Sequence, residues 1–265
     1  MYRLSTSNRC SLFELIAAEI WDSIAFNHKN NVQESEIGIT NKIIAVIRDH
    51  HVNNPSFGVW ANQGVKEAIH GSDIDIFVET STNRFLWYAI QAKVLKIGGK
   101  YNGLANKRQW NTLGALRKAS GCIPFFLFYN GLDKEPENLE DCCGHQISEK
   151  QFGCTIAEID EVKKITTSKP NPRYTDICPE SGHPWRELVC CTAKRKDGVP
   201  YSLKQIQNAT SIYTGIVNTE MIIRGSNNPE EANGYSTTKI VDENRNSNRV
   251  PSHVFAIRTI AGMNQ

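Results

Sequence analysis

The chain opens with apolar residues at helical spacing. Leu12, Phe13, Ile16, Ala17, Ile20, Trp21 and Ile24 share one side of a helix predicted over residues 11–26. Ser11 with Glu14 three positions on has the form of a capping box at its start. That gives Glu14 a structural use, and Glu19, inside the apolar arc, reads as a paired or snorkelling side chain. After a polar loop, a second helix is predicted over residues 37–50, with Ile39, Ile43, Val46 and Ile47 as its stripe and Glu36 at its N-terminal end. The period then changes. Residues 73–79 alternate polar and apolar, so Asp73, Asp75, Phe77 and Glu79 fall on one face of a strand. Thr80, Ser81, Thr82 and Asn83 supply turn chemistry. Residues 85–94 are almost continuously apolar, aromatic or β-branched, as a central strand requires. Next comes a helix expected to hold Tyr101, Leu104, Trp110, Leu113 and Leu116, then an apolar strand over residues 123–129.

Beyond residue 130 the pattern weakens. A strand over 153–159, a helical piece over 158–165, a proline-containing loop over 168–173 and a buried stretch over 185–193 are expected. They are followed by a helix over 202–221, a polar loop over 226–248 and a last strand over 254–260. The division this predicts is an α/β core over residues 1–130 and an α+β elaboration over 131–265, either separate or part of the same domain.

Composition is that of a globular protein: 265 residues, 40% hydrophobic and 22% charged. No apolar run is long enough to cross a membrane, and the first residues lack the features of a signal peptide, so a cytoplasmic protein is expected. A net charge of +2 says little, but the charges are segregated. Lys93, Lys96, Lys100, Lys107, Arg108, Arg117 and Lys118 follow one another without an acidic residue, and Asp133, Glu135, Glu137, Glu140 and Asp141 come directly after. The basic run reads either as a solvated face or as a surface for phosphates. A cytoplasmic setting predicts that the eight cysteines are mostly reduced. Cys142, Cys143, His145, Cys154, Cys178, His183, Cys190 and Cys191 crowd one third of the chain. Zinc accepts such ligands, but the doublets lack C-x-x-C spacing, so buried thiols are the favoured reading. No phosphate-binding glycine loop or H-E-x-x-H helix is present.

The most informative positions are Gln91 and Lys93, two apart on the apolar strand and therefore on one face. A polar pair at the end of a buried strand is costly unless charged groups meet it. Asp73 on the preceding strand, followed by Gln91-Ala92-Lys93, resembles the metal-binding motif of the PD-(D/E)XK nuclease superfamily, in the branch where glutamine replaces an acidic residue, as in Mrr-type restriction endonucleases. More narrowly, Glu36-x-x-Ile39-Thr40, Gly71-Ser72-Asp73 and Gln91-Ala92-Lys93 resemble the E-x-x-I-T, G-A-D and Q-A-K motifs of an uncharacterised bacterial family, with Ser72 at a position that is usually alanine. The likeness covers residues 10–130 well and the remainder weakly.

The resemblance implies a restriction-endonuclease-like mixed sheet flanked by helices. It implies a Mg²⁺- or Mn²⁺-dependent endonuclease that hydrolyses the phosphodiester bonds of DNA. Asp73 would ligate the metal with the Gln91 side-chain oxygen and the Ala92 carbonyl, with Asp75, on the same strand face, as the fallback for Asp73. Lys93 would orient the attacking water and neutralise developing charge. Glu36 or Glu67 would complete the acidic shell, with Glu34 as a substitute for Glu36. Lys96, Lys100, Lys107 and Arg108, with Gln109 nearby, would meet the nucleic acid. Relatives of this kind work in bacterial restriction and antiphage defence, often as homodimers and with partner proteins. The alternative is a nuclease-fold protein that has lost catalysis and binds DNA or a partner.

Overall fold

The apolar strand that carries Gln91 becomes the middle of a sheet. The computed structural model describes residues 9–53, 59–63, 72–81, 84–140, 146–190, 199–202, 205 and 253–257. Its helices are α1 (Arg9–Lys29), α2 (Glu36–Asn53), α3 (Lys107–Ser120), α4 (Ile159–Ser168) and the short α5 (Glu187–Cys190). Its strands are β1 (Val59–Gln63), β2 (Ile74–Ser81), β3 (Arg84–Val94), β4 (Ile123–Tyr129), β5 (Asn138–Glu140), β6 (Gln146–Ser148), β7 (Cys154–Glu158), β8 (His183–Pro184), β9 (Tyr201–Ser202) and β10 (His253–Ile257). The main sheet runs β1-β10-β2-β3-β4-β7-β8, with β9 against the start of β3, and β5 and β6 form a separate pair. β10 runs parallel to β2, and β4 parallel to β3; the other pairings are antiparallel. The protein is thus a mixed α/β sheet flanked by helices.

Both faces of the sheet are covered, which is why β4 reads as an unbroken apolar run and β3 as one interrupted only near its ends. On one face, Ile74, Ile76, Tyr88, Ile90 and Leu127 pack against α1, α2 and the Trp185–Val189 stretch. On the other, Trp87, Ala89, Phe126 and Phe128 pack against Leu113 and Leu116 of α3 and Val162 of α4. α1 lies so close to the sheet that side chains are excluded at two points. A Cβ on Gly153 would fall 1.9 Å from the Ala17 carbonyl oxygen, and one on Gly131 would fall 2.2 Å from that of Trp21. Asn130 fills the gap beside them: it accepts from the Tyr101 hydroxyl and donates to Phe152 O (2.8 Å) and Thr155 Oγ1 (3.1 Å). A buried amide so fully partnered is a stabilising joint rather than a penalty.

Several sequence expectations are corrected. α1 begins at Arg9, so Ser11 lies inside it, and the Glu14 carboxylate pairs with Arg186 instead of closing a capping box. Thr80 and Ser81 continue β2, with a register shift between Glu79 and Ser81, rather than turning. Tyr101 and Leu104 are buried but precede α3. That helix starts only at Lys107, where Asn106 caps it by accepting from Arg108 N (3.1 Å) and Gln109 N (3.3 Å). The 153–159 strand, the 158–165 helix and the last strand exist as β7, α4 and β10. The helix expected over 202–221 and the loop over 226–248 lie outside the described residues, apart from residues 202 and 205.

The cysteines divide. Cys10 and Cys190 form a disulfide between the start of α1 and the end of α5, against the expectation that Cys190 is a free buried thiol, whereas Cys122, Cys154 and Cys178 are free and buried. Burial pushes the Cys178 thiol up to about 12 and the Cys154 thiol well above its ordinary value, so both behave as small apolar groups. Cys142, Cys143, His145 and Cys191 lie outside the described residues. Among the described residues, no helix is long and apolar enough to cross a membrane.

Candidate functional site

Antiparallel pairing of β2 with β3 sets Ile74 opposite Ile90, and the Asp73 N–H still reaches the Ile90 carbonyl at 2.7 Å. Asp73 itself stands on a bend just before β2, half-buried, with its side chain beside the end of β3. Its Oδ2 accepts from the Ala92 N–H at 2.7 Å and from the Gln91 side-chain Nε2. Both contacts set N–H donors against a carboxylate oxygen. Gln91 is buried, 2% exposed, so both ends of its amide need partners. Its Oε1 accepts from Gln109 Nε2 at 3.0 Å, which ties the sheet to the first turn of α3.

Lys93, two residues on, is also mostly enclosed, its side chain 12% exposed, and its Nζ lies 3.5 Å from Glu36 Oε2. Glu36 is the first residue of α2, where the helix dipole favours a negative side chain. Apart from Lys93, its Oε2 is shut off from water and accepts no hydrogen bond. The position of α2 is fixed by Thr40, one turn on. The Thr40 hydroxyl donates to the Glu36 carbonyl (2.7 Å) and lies 3.0 Å from the Tyr129 hydroxyl at the end of β4. Burial, reinforced by the nearby Cys154, Asp73 and Glu36, holds the Tyr129 hydroxyl well above its ordinary pKa, so it stays protonated beside the two carboxylates.

The structure therefore brings Glu36, Asp73, Gln91, Ala92 and Lys93 to one end of the β2–β3 pair. It does not bring Asp75 there. Asp75 is 3% exposed and sits deeper, beside Ser72, Trp87 and Cys122. Burial raises its pKa to about 7, and the neighbouring Trp87 indole and Ser72 hydroxyl pull it back only partly. The serine that stands where the resembling family has alanine thus sits beside a buried carboxyl. Glu34 is also elsewhere, accepting from Ser23 Oγ (2.8 Å) and Asn27 Nδ2 to join α1 to the loop before α2. Glu67 and His70 lie outside the described residues.

Lys107 and Arg108 are the first two residues of α3 and are exposed, directly beside the Gln109 that touches Gln91. Lys96 and Lys100 lie in the loop that leaves β3, with the Lys96 N–H bonded to the Lys100 carbonyl at 3.0 Å; Lys100 is exposed and Lys96 partly so. Arg117, at the far end of α3, faces Asp160 instead. Among the described residues, no group of three His, Cys, Asp or Glu side chains is arranged to hold a metal. The oxygens at the site are those of two carboxylates and a main-chain carbonyl, a set that suits a hard cation and not zinc, while Gln91 turns its NH₂ to Asp73 and its oxygen to Gln109.

Sequence reasoning missed how Gln109, Thr40 and Tyr129 are used. Gln109 had a local signal, as a polar residue in the first turn of the helix after the Gln91 strand. Thr40 lies one helical turn from Glu36. Nothing local marks Tyr129, which reaches the site only because β4 runs parallel to β3 and ends level with Val94.

The chain belongs to a family of unknown function (DUF6615), which matches residues 9–262. No curated protein matches it. No solved structure matches it either.

Proposed function

We propose that this chain is a divalent-metal-dependent endonuclease acting on DNA, built on a PD-(D/E)XK core of the Q-x-K kind. The observation that carries the reading is the meeting of Glu36, Asp73, Gln91 and Lys93, far apart in sequence, at one end of an antiparallel strand pair. The order α2, β1, β2, β3, α3, β4, in a mixed sheet flanked by helices, supports the same reading. The donor set fits Mg²⁺ or Mn²⁺. Asp73, the Gln91 side-chain oxygen and the Ala92 carbonyl would hold the ion, and Glu36, with its buried Oε2, would complete the shell. When bound, such an ion polarises the scissile phosphate and lowers the pKa of a coordinated water.

The chain's own residues supply the rest. Lys93, enclosed and held by Glu36, presents a positive charge where negative charge develops on the phosphate. Lys107, Arg108 and the positive end of α3 attract the flanking phosphates, with Lys96 and Lys100 extending that surface. Action as a homodimer and a role in antiphage defence are parts of the same reading.

A second reading rests on a specific observation. Asp73 accepts from Gln91 and Ala92, and Glu36 is ion-paired with Lys93, so the same residues can serve as a structural joint in a protein that binds DNA or a partner without cutting. Cleavage of supercoiled and linear DNA in Mg²⁺ or Mn²⁺ separates the two, with Lys93→Ala as the control. Cutting that disappears in Lys93→Ala, with DNA binding retained, supports the nuclease. DNA binding without cutting in the unmodified chain supports the second reading, and cutting that survives Lys93→Ala removes this site from the chemistry.

A further inference from the structure

Two glutamine amides in series have a direction, because each amide donates at one end and accepts at the other. Here Gln109 Nε2 donates to Gln91 Oε1 at 3.0 Å, and Gln91 Nε2 donates to the Asp73 carboxylate. The series starts from a loose end: Gln109 Oε1 is shut off from water and has no hydrogen-bond partner. A buried acceptor left unsatisfied is costly and uncommon.

The direction observed is the wrong one for a cation beside Asp73, which requires oxygen from Gln91 and repels its NH₂. Turning the Gln91 amide over supplies the oxygen but swings its NH₂ towards α3. There it meets the Gln109 NH₂, donor against donor, unless Gln109 turns as well and offers its own Oε1. We propose that Gln109 is the positioning residue that sets the polarity of the Gln91 amide, and that Gln91 presents oxygen to a divalent cation only when the two amides reverse together. The inference rests on the nuclease reading above. It explains why the partner is a glutamine: glutamate can only accept and lysine can only donate, whereas this position must do each in turn.

The test is Mn²⁺ binding by the full chain, measured by titration calorimetry for Gln109→Glu and Gln109→Lys. Each is made with Gln91 intact and with Gln91→Glu. With Gln91 intact, Gln109→Glu fixes the oxygen towards the cation and tightens binding, and Gln109→Lys fixes the opposite polarity and weakens it. A carboxylate in place of Gln91 accepts at both ends and has no polarity to set. The ratio of the two dissociation constants is therefore expected to be about tenfold larger with Gln91 than with Gln91→Glu, the size of one hydrogen bond gained or lost. The direct attraction or repulsion between a charge at position 109 and the cation is common to both backgrounds and cancels in the comparison. Equal ratios overturn the inference and leave the metal site standing, while no Mn²⁺ binding by the unmodified chain overturns both. A measurement free of substitutions is the side-chain amide spectrum of ¹⁵N-labelled protein. Mg²⁺ is expected to shift the NH₂ signals of Gln91 and Gln109 together, and a stationary Gln109 signal overturns the coupled reversal.

Discussion

Replacing Asp75 by asparagine changes one proton and little else, and it tests whether a carboxylic acid is kept neutral under the site. Asp75 is 3% exposed, with Trp87, Ser72 and Cys122 around it. Its carboxyl titrates at about 7 in the fold, against an ordinary value of 3.8, because burial disfavours the charged form. Below 3.8 both the folded and the unfolded chain carry the proton, and the group costs nothing extra. Between 3.8 and about 7 the unfolded chain gives up the proton and the fold keeps it. The unfolded state then binds fewer protons, so stability falls as pH rises. Above about 7 both are ionised and the loss is complete. The difference between those two values corresponds to about 4 kcal/mol at most.

Asparagine has the shape of the protonated acid, can accept from the Trp87 indole and can donate to the Ser72 hydroxyl, yet does not titrate. Urea unfolding of both proteins, in chelator and at steps from about pH 4 to about pH 8, should give similar stabilities at the acid end. Asp75→Asn should then gain on the unmodified protein as pH rises, by about 2–4 kcal/mol at neutrality. A difference that stays flat across that range refutes the neutral buried acid, and with it the separation of Asp75 from the metal-binding candidates.

Gly153→Ala should destabilise by about 3 kcal/mol in the same unfolding assay, because its Cβ would lie 1.9 Å from the Ala17 carbonyl oxygen of α1. Gly98→Ala, where a Cβ meets nothing within 4 Å, is the control and should be near neutral. Tyr129→Phe removes the hydroxyl that lies 3.0 Å from Thr40 Oγ1 and should cost about 1 kcal/mol of stability. Mn²⁺ should bind more tightly when DNA is present than when it is absent, since a phosphate restores the negative charge that Gln91 lacks relative to a carboxylate; equal affinities by calorimetry would count against a shared site.

The central sheet was legible in the sequence because its rules are local. Alternation over residues 73–79, broken only at Phe77, and an apolar run over 85–94, interrupted only by Gln91 and Lys93, mark β2 and β3, and antiparallel pairing across a short connection brings Asp73 opposite Gln91. Alternation cannot report depth, however. Asp73 and Asp75 share a face on that pattern, yet one stands at the open end of the strands and the other is sealed beneath it. Long-range contacts were equally illegible. Gly153 reads as the edge of a strand, and only the fold shows α1 lying against it. Glu14 meets Arg186, Cys10 meets Cys190, and β10 from the far end of the chain lies beside β2. No periodicity encodes such partners.

The charges of the site explain why its glutamines matter. Asp73 and Glu36 bring two negative charges and Lys93 one positive, so a cation entering there meets a smaller net field than three carboxylates would provide. Where Coulomb attraction is modest, the orientation of the neutral ligand decides more of the affinity, and Gln91 is oriented by a residue on α3. That helix also carries Lys107 and Arg108 at the same end, in the turn on which a DNA phosphate would settle. A phosphate drawn to the start of α3 would act on Gln109, and through it on Gln91, so that nucleic acid and metal favour one another through a path two side chains long.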